Sequence, residues 1–505
     1  MPFLYNAQQS REVDQQAISQ MPVAGFELMQ RAAWFAWQSL VQACPDMRRV
    51  NVWCGKGNNA GDAYLVAAHA HQFGLQVCAL AVDPIDALRG DAELAVQAAQ
   101  AAGVTIQAWT STEPVPAADV QVDGLLGTGV QGAPRAHTAA AIEALNAQAG
   151  FVLSIDLPSG VNGSTGDVAG VAVHADLVTT FITRKVGSFT GPGLDYAARL
   201  AYDDLAVDKT CFHPGQAQLV SFQQLRATVP QLGINTYKHR QGHILVCGGD
   251  QAMPGAVILA SRAAMRSGAG MVTCVTQPAH RAAVVASTPE VMVAAPEEAP
   301  YERADLYVLG PGLGRSDWSL TLYEAVEAAS ARRNVPVVLD ADGLYWLAQR
   351  KTWQGGPLTI TPHVAEAARL LSAAGADDIA VDVQADRLAA AEQLRQAYQC
   401  DGVLKGAGSI IFAHPATVHP LAVCADGNPG MATAGMGDVL SGVMGALLGQ
   451  LSGAPDAAER FERLMLAVCL HSAAADAAVQ HTGELSLLAS DVVDQVPGLL
   501  RSESP

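Results

Sequence analysis

Two stretches of the 505-residue chain hold residue types that do chemistry at spacings an ordinary core does not need. In "GKGNNAGDAY" (55–64), Gly55, Gly57 and Ala60 follow the dinucleotide spacing G-x-G-x-x-G/A, yet Asn58 and Asn59 fill the turn and Asp62 follows it. No Lys-Ser/Thr pair comes after the glycines, so this is not a Walker loop. Amide oxygens and carboxylates are hard donors suited to K⁺, Na⁺ or Mg²⁺, and the N–H groups of a helix start suit phosphate. The turn reads either as a clamp for a pyrophosphate-bearing ligand beside a cation or as a plain capped strand-to-helix turn. In "NPGMATAGMGDVLSG" (428–442), Gly435, Gly437 and Asp438 precede an apolar helix. Glycines there let backbone N–H groups converge on an anion, and Asp438 stands ready to accept a hydroxyl proton. Phosphoryl transfer needs that pairing; the plain alternative is an aspartate helix cap.

Other polar residues follow apolar runs. Asp123 follows "DVQV", and Asp156 follows "VLSI" and leads into Pro158, Ser159 and Gly160. A carboxylate placed by a tight Pro-Ser-Gly turn is a plausible acid/base. Lys185, in "TRKVGSFTGPG", reads as a positive charge or second proton relay, or else as one more surface lysine. Lys405–Ser409, "KGAGS", looks like a loop gripping nucleotide phosphates. In "TPHVAE", His363 and Glu366 sit one helical turn apart: Glu366 as a group ordering Mg²⁺ through water, His363 as a substrate contact or a structural histidine. "GPGLG" (310–314) and "DADG" (340–343) complete this set, which resembles a ribokinase-like site.

Short β-rich apolar runs alternate with Ala-rich helical stretches through both halves of the chain. That rhythm predicts an α/β protein with two parallel sheets covered on both faces. Open parallel sheets bind ligands at the carboxyl ends of their strands, which puts the unusual residues of each half on one rim. The region from Cys211 to Gln241 lacks the alternation, so the boundary falls near residue 220. The expectation is an N-terminal Rossmann-like parallel sheet over 1–218 and a C-terminal ribokinase-like α/β domain over 219–505. A short helix, roughly Ser10 to Gln42, is expected before the first strand.

A net charge of −18 argues against nucleic acid, whose binding relies on Lys and Arg. Nine cysteines with no CxxC pair fit buried thiols in a reducing compartment better than a disulfide frame or zinc site. No signal peptide is apparent, and the longest apolar stretch, Val439–Leu448, is too short to span a bilayer. A soluble cytoplasmic protein without a membrane partner is expected.

"GKGNNAGDAYLVA", "VDGLLGTGVQG" and "IDLPSGVNGSTG" resemble, in order, the motifs of the NAD(P)H-hydrate epimerase domain, over most of residues 1 to 215. This resemblance implies K⁺ held by Asn59, Asp123 and Ser159. It also implies substrate contacts from Asn58, Asn59, Ala60, Gly61 and Asp62 and from Gly127, Thr128, Gly129, Val130, Gln131, Gly132 and Ala133, with Asp156 at the reacting ring. The family usually has glycine where this chain has Ala60 and Ala63. "GGDQAMPGA", "GPGLG", "DADGL", "TPHVAEAARLL", "KGAGS" and "NPGMATAGMGDVLSG" are similar to the ADP-dependent NAD(P)H-hydrate dehydratase, over nearly all of residues 235 to 495. Implied here are substrate contacts at Ala256, Gly312, His363 and Asp438. Implied nucleotide contacts are Lys405, Gly406, Ala407, Gly408, Ser409 and Gly437. Val364-Ala365 stands where that family commonly has Pro-Gly. Together the resemblances imply repair of hydrated NADH and NADPH, with Asp156 and Asp438 catalytic, ADP as phosphoryl donor, Mg²⁺, and a homo-oligomer. Two rival readings remain: a ribokinase-like small-molecule kinase whose product keeps its phosphate, and a Rossmann-like binding module without catalysis in the first half.

Overall fold

The computed structural model describes residues 1–20, 25–129, 131–375, 382–451 and 455–501. The chain forms two compact units, Phe3–Ala217 and Gln218–Pro505 with Met1–Pro2.

The first unit is built on a seven-stranded sheet in the order Thr105–Ala108, Gln76–Ala81, Arg49–Cys54, Val120–Gly124, Phe151–Ile155, Leu177–Phe181, Leu200–Asp203. All neighbours are parallel. Alternate side chains serve opposite faces, as the period of two requires. Val50, Val52 and Cys54 pack under the helices Gly25–Ala43, Asn58–Gln72 and Asp91–Ala101. Trp53 and Leu80 pack on the other face against Ile142 and Leu145 of the helix Ala136–Asn146. Strand order reverses beside Arg49–Cys54, which makes the carboxyl end of that strand a switch point where ligand crevices open. The single expected N-terminal helix is instead two, Ala7–Gln20 and Gly25–Ala43. The sequence between them holds Pro22, which lacks the N–H a continuous helix needs.

The second unit's sheet runs Met292–Ala294, Met271–Val275, His243–Cys247, Leu306–Leu309, Val337–Leu339, Leu358–Ile360, Asp401–Leu404, Ile410–Phe412, Leu421–Cys424, Ala217–Val220. It is not wholly parallel, as the apolar runs had suggested: Ile410–Phe412 pairs antiparallel with both neighbours. The loops on either side explain this. A parallel neighbour needs a crossover of a dozen or more residues, and only "KGAGS" joins Leu404 to Ile410. The helix Met436–Gly449 packs on the helices Pro254–Arg266 and Ala457–Thr482, and its residues Val439, Val443 and Leu447 are core. Among the described residues, no helix is long and apolar enough to cross a membrane.

Candidate active sites

In the first unit, Asp123 lies at the end of its strand, fully buried. Its Oδ2 accepts from Ser154 Oγ (2.7 Å) and Ser159 N–H (2.9 Å), and its Oδ1 from Ser159 Oγ (2.6 Å) and Leu125 N–H (3.2 Å). Burial pushes its carboxyl above the usual range against those four bonds. The Ser159 hydroxyl also accepts from Leu126 N–H (2.8 Å). Asn59 Nδ2 donates to the Leu126 carbonyl (2.8 Å), while Asn59 Oδ1 is buried with no hydrogen-bond partner among the described residues. Asn59, Asp123 and Ser159 thus gather around Leu126, and one acceptor among them lacks a donor.

Beside this cluster opens a cavity of about 530 Å³. Asn58, Asn59, Asp62, Gly127–Gly129 and Asp156 line it, together with Arg11 and Asp14 from the helix Ala7–Gln20. Asp156 has φ 68°, a left-handed conformation that costs a non-glycine residue about 1–3 kcal/mol and tends to persist at functional sites. Lys185 is 3% exposed, with Nζ 2.5 Å from Asp156 Oδ1, 2.8 Å from the Phe181 carbonyl and 3.2 Å from Thr180 Oγ1. Thr180 Oγ1 also donates to Asp156 Oδ1 (3.2 Å). It is therefore no surface lysine. Ala60 and Gly61 are buried and outside the cavity wall; Gln131, Gly132 and Ala133 are exposed and also outside it. Val130 lies outside the described residues.

In the second unit the helix Met436–Gly449 starts from Gly435 at φ 89° with no side-chain cap. Its first N–H groups therefore meet no capping side chain, as an anion site requires. Asp438 stands in the first turn, its carboxyl pushed up to about 7 by burial and by Asp340, with Lys405 opposing. Lys405 Nζ is 2.7 Å from Asp340 Oδ1 and 4.0 Å from Glu366 Oε2. A Cβ placed on Gly437 would stand 3.3 Å from that Nζ. Asp340 also accepts from Thr361 Oγ1 (2.7 Å) and Ser441 Oγ (2.8 Å). Burial pushes its carboxyl up, but Lys405 and these bonds outweigh it and hold it low. Burial likewise pulls Lys405 down, and Asp340 and Glu366 more than reverse that.

The loop 405–409 rests on Arg387, whose Nη1 donates to the Ala407 carbonyl (2.5 Å) and Nη2 to that of Leu404 (3.2 Å). His363 caps the helix Val364–Ala373: its Nδ1 accepts from Ala365 N–H (3.1 Å) and Glu366 N–H (3.4 Å), and Glu366 Oε2 accepts from His363 N–H (2.9 Å). The structural role of this histidine is plain in that reciprocal cap. Gly312 is buried beside Ala256, whose Cβ an added Gly312 Cβ would meet at 3.0 Å.

A family model described as NAD(P)H-hydrate dehydratase matches residues 244–498, and one described as YjeF-related protein N-terminus matches 25–187. The bifunctional NAD(P)H-hydrate repair enzyme Nnr of Coxiella burnetii is 37% identical over 504 residues, covering 97% of this chain and 98% of that protein. The enzyme of the same name from Escherichia coli is 36% identical over 508 residues, covering 99% and 94%. The chain belongs to the bifunctional NAD(P)H-hydrate repair enzyme family. A ribokinase-like superfamily protein from Enterococcus faecalis shares the fold of the second unit, at 25% identity and TM-score 0.50 over 57% of this chain and 97% of that one. The repair enzyme is thus an epimerase and a nucleotide-dependent dehydratase, the dehydratase carried by the second unit. That sets aside the kinase with a stable product and the inert binding module.

Several residues of the repair enzyme's two candidate sites carry no local sequence signal. Asp14 is one polar residue in a polar helix, yet burial, with Asp156 adding and Lys185 opposing, raises it to about 6. Arg387 precedes its loop by about one helix, and Asp340 was visible only as part of a rim motif. Ala60 and Ala63 are core, outside the cavity wall. Ala63 has room because its neighbour is Gly124, where a Cβ would stand 2.3 Å from the Ala63 methyl. All nine cysteines are free, but Cys424, Asp426 and Cys469 cluster. Cys469 Sγ donates to Cys424 Sγ (3.4 Å) and Cys424 Sγ to the Asp426 carbonyl (3.7 Å).

Proposed function

We propose that the first unit interconverts the R and S hydrates at nicotinamide C6 and that the second phosphorylates the S hydrate and eliminates phosphate. Asp156 is the acid/base at the reacting ring in this reading, and Lys185 with Thr180 holds its Oδ1 in place. Asn58, Asn59, Asp62 and Gly127–Gly129 form the substrate wall. Asn59, Asp123 and Ser159 fit K⁺, because the orphaned Asn59 oxygen is a buried acceptor in want of a positive partner. A bound K⁺ would supply charge that fixes these loops and attracts substrate phosphate.

In the second unit, the observation that carries the reading is the meeting of Asp438, Lys405 and an uncapped helix start. The N–H groups near Gly437 and the Lys405–Ser409 loop hold nucleotide phosphates, while Ala256, Gly312 and the exposed side of His363 face the hydrated ring. Asp438 takes the proton of the C6 hydroxyl. That oxygen then attacks the terminal phosphorus of ADP, and AMP departs. Loss of a proton from C5 and of phosphate from C6 restores the C5–C6 double bond of NAD(P)H. Lys405 faces three carboxylates, Asp340, Glu366 and Asp438; of these Glu366, at the edge of the cluster, is the one that would hold Mg²⁺, through water, leaving Asp438 free as the base. The ion would neutralise phosphate charge during transfer.

The test feeds mixed R and S hydrates with ADP and Mg²⁺ and follows the returning dihydronicotinamide absorbance. Wild type should consume both epimers. Asp156→Asn should stop after the S form, and Asp438→Asn should consume neither while still interconverting them. A phosphorylated hydrate that accumulates without eliminating would refute the proposed second step.

A further inference from the structure

Asp62 opens into the first unit's cavity from the second turn of the helix Asn58–Gln72. Among the described residues no hydrogen-bond donor meets its carboxyl. Asp156 enters the same cavity from a different element, the turn after Phe151–Ile155, and has the Lys185 ammonium against it. One carboxyl with a cation and one without are what a matched acid and base look like. Burial raises the Asp62 carboxyl well above the usual range; Asp156 adds to that, Lys185 opposes it and Asp14 adds again. Arg11, Lys56 and Asp91 complete the charged groups on the wall.

The hydrated ring carries its hydroxyl on C6, beside the ring nitrogen. Configuration there inverts without redox change if water leaves one face and returns to the other. An acid protonates the C6 oxygen, the C6–O bond breaks with its electron pair leaving on water, and the nitrogen lone pair forms the N1–C6 double bond. A second water then adds its oxygen to C6, the electrons return to nitrogen, and a carboxylate takes the surplus proton. No oxidant or reductant enters, and one proton passes from acid to base in each turnover.

We infer that Asp62 is the acid for departure of water from C6 and Asp156 the base for its return, the two exchanging roles in the opposite direction. This rests on the epimerase reading above. Asp62 is then a second catalytic residue and more than a substrate contact.

The experiment incubates the full-length protein with the R hydrate of NADH in ¹⁸O water and analyses the separated epimers by mass spectrometry, subtracting the enzyme-free rate. Each S molecule formed should carry one solvent oxygen. Asp62→Asn should slow interconversion by about 10²- to 10⁴-fold, while its thermal midpoint stays near wild type. Inversion by wild type with the original oxygen retained overturns the inference, whatever the variant does. So does an Asp62→Asn protein that interconverts the epimers at the wild-type rate. Wild-type protein that fails to interconvert them overturns the epimerase reading itself.

Discussion

A buried base should announce itself in the pH dependence of dehydration. Asp438 has its carboxyl pushed up to about 7 because burial and the neighbouring Asp340 disfavour its charge more than Lys405 favours it. An aspartate in water titrates near pH ~3.9 and would leave the rate flat across neutrality. As a base, Asp438 must be ionised, so activity should fall as pH drops through its value. At pH ~6 roughly one-eleventh of the molecules hold the carboxylate and at pH ~8 roughly ten-elevenths, which gives about a tenfold rise in kcat/KM between them. Replacing the base by Asp438→Asn should remove that limb and lower the rate by about 10²- to 10⁴-fold, or about 3–5 kcal/mol of transition-state stabilisation. The assay uses pure S hydrate, saturating ADP and Mg²⁺, and buffers of constant ionic strength from pH ~6 to ~8, with the enzyme-free rate subtracted. Epimerisation by the same variant serves as the internal control. A flat wild-type profile, or an Asp438→Asn rate within tenfold of wild type, would refute the assignment of Asp438 as the base.

Other expectations follow from single contacts. Lys185→Met leaves Asp156 without its ammonium and should slow epimerisation about 10²-fold while dehydration is unchanged; equal epimerase rates would dismiss the pair. Ser159→Ala strips Asp123 of its hydroxyl partner and should destabilise the first unit by about 1–3 kcal/mol, read as a lower thermal midpoint. If the K⁺ assignment is sound, K⁺ at ~100 times its Kd should stabilise the wild-type unit by about 2.7 kcal/mol over Li⁺, and Ser159→Ala should lose most of that difference. Arg387→Met removes two bonds to the 405–409 loop and should raise the nucleotide KM about tenfold with kcat little changed. A fall in kcat alone would contradict that supporting role.

The strands that lie inside their sheets were readable, because "RVNVWC" or "HILVC" must be apolar on both faces when helices cover both. Short strands such as Arg184–Lys185 and Leu200–Asp203 were not, since so few residues, both charged in the first and two of four polar in the second, make no run. The antiparallel Ile410–Phe412 looked like any apolar segment; only the shortness of the loops beside it held the clue. Lys185 could not be told from a surface lysine, because nothing in "TRKVG" reports that a strand carries it under Asp156.

Glycine spacing, prolines and apolar periods act over a few residues, so the chain alone determines its strand-to-helix turns, its α/β class and the identity of the residues on each rim. The partners of those residues are another matter. Lys405 finds Asp340 65 positions away, and Asn59 finds the Leu126 carbonyl 67 away, only once neighbouring strands are in register. Burial then decides which carboxyls keep their charge, because desolvation depends on everything packed around a group and on nothing local to it.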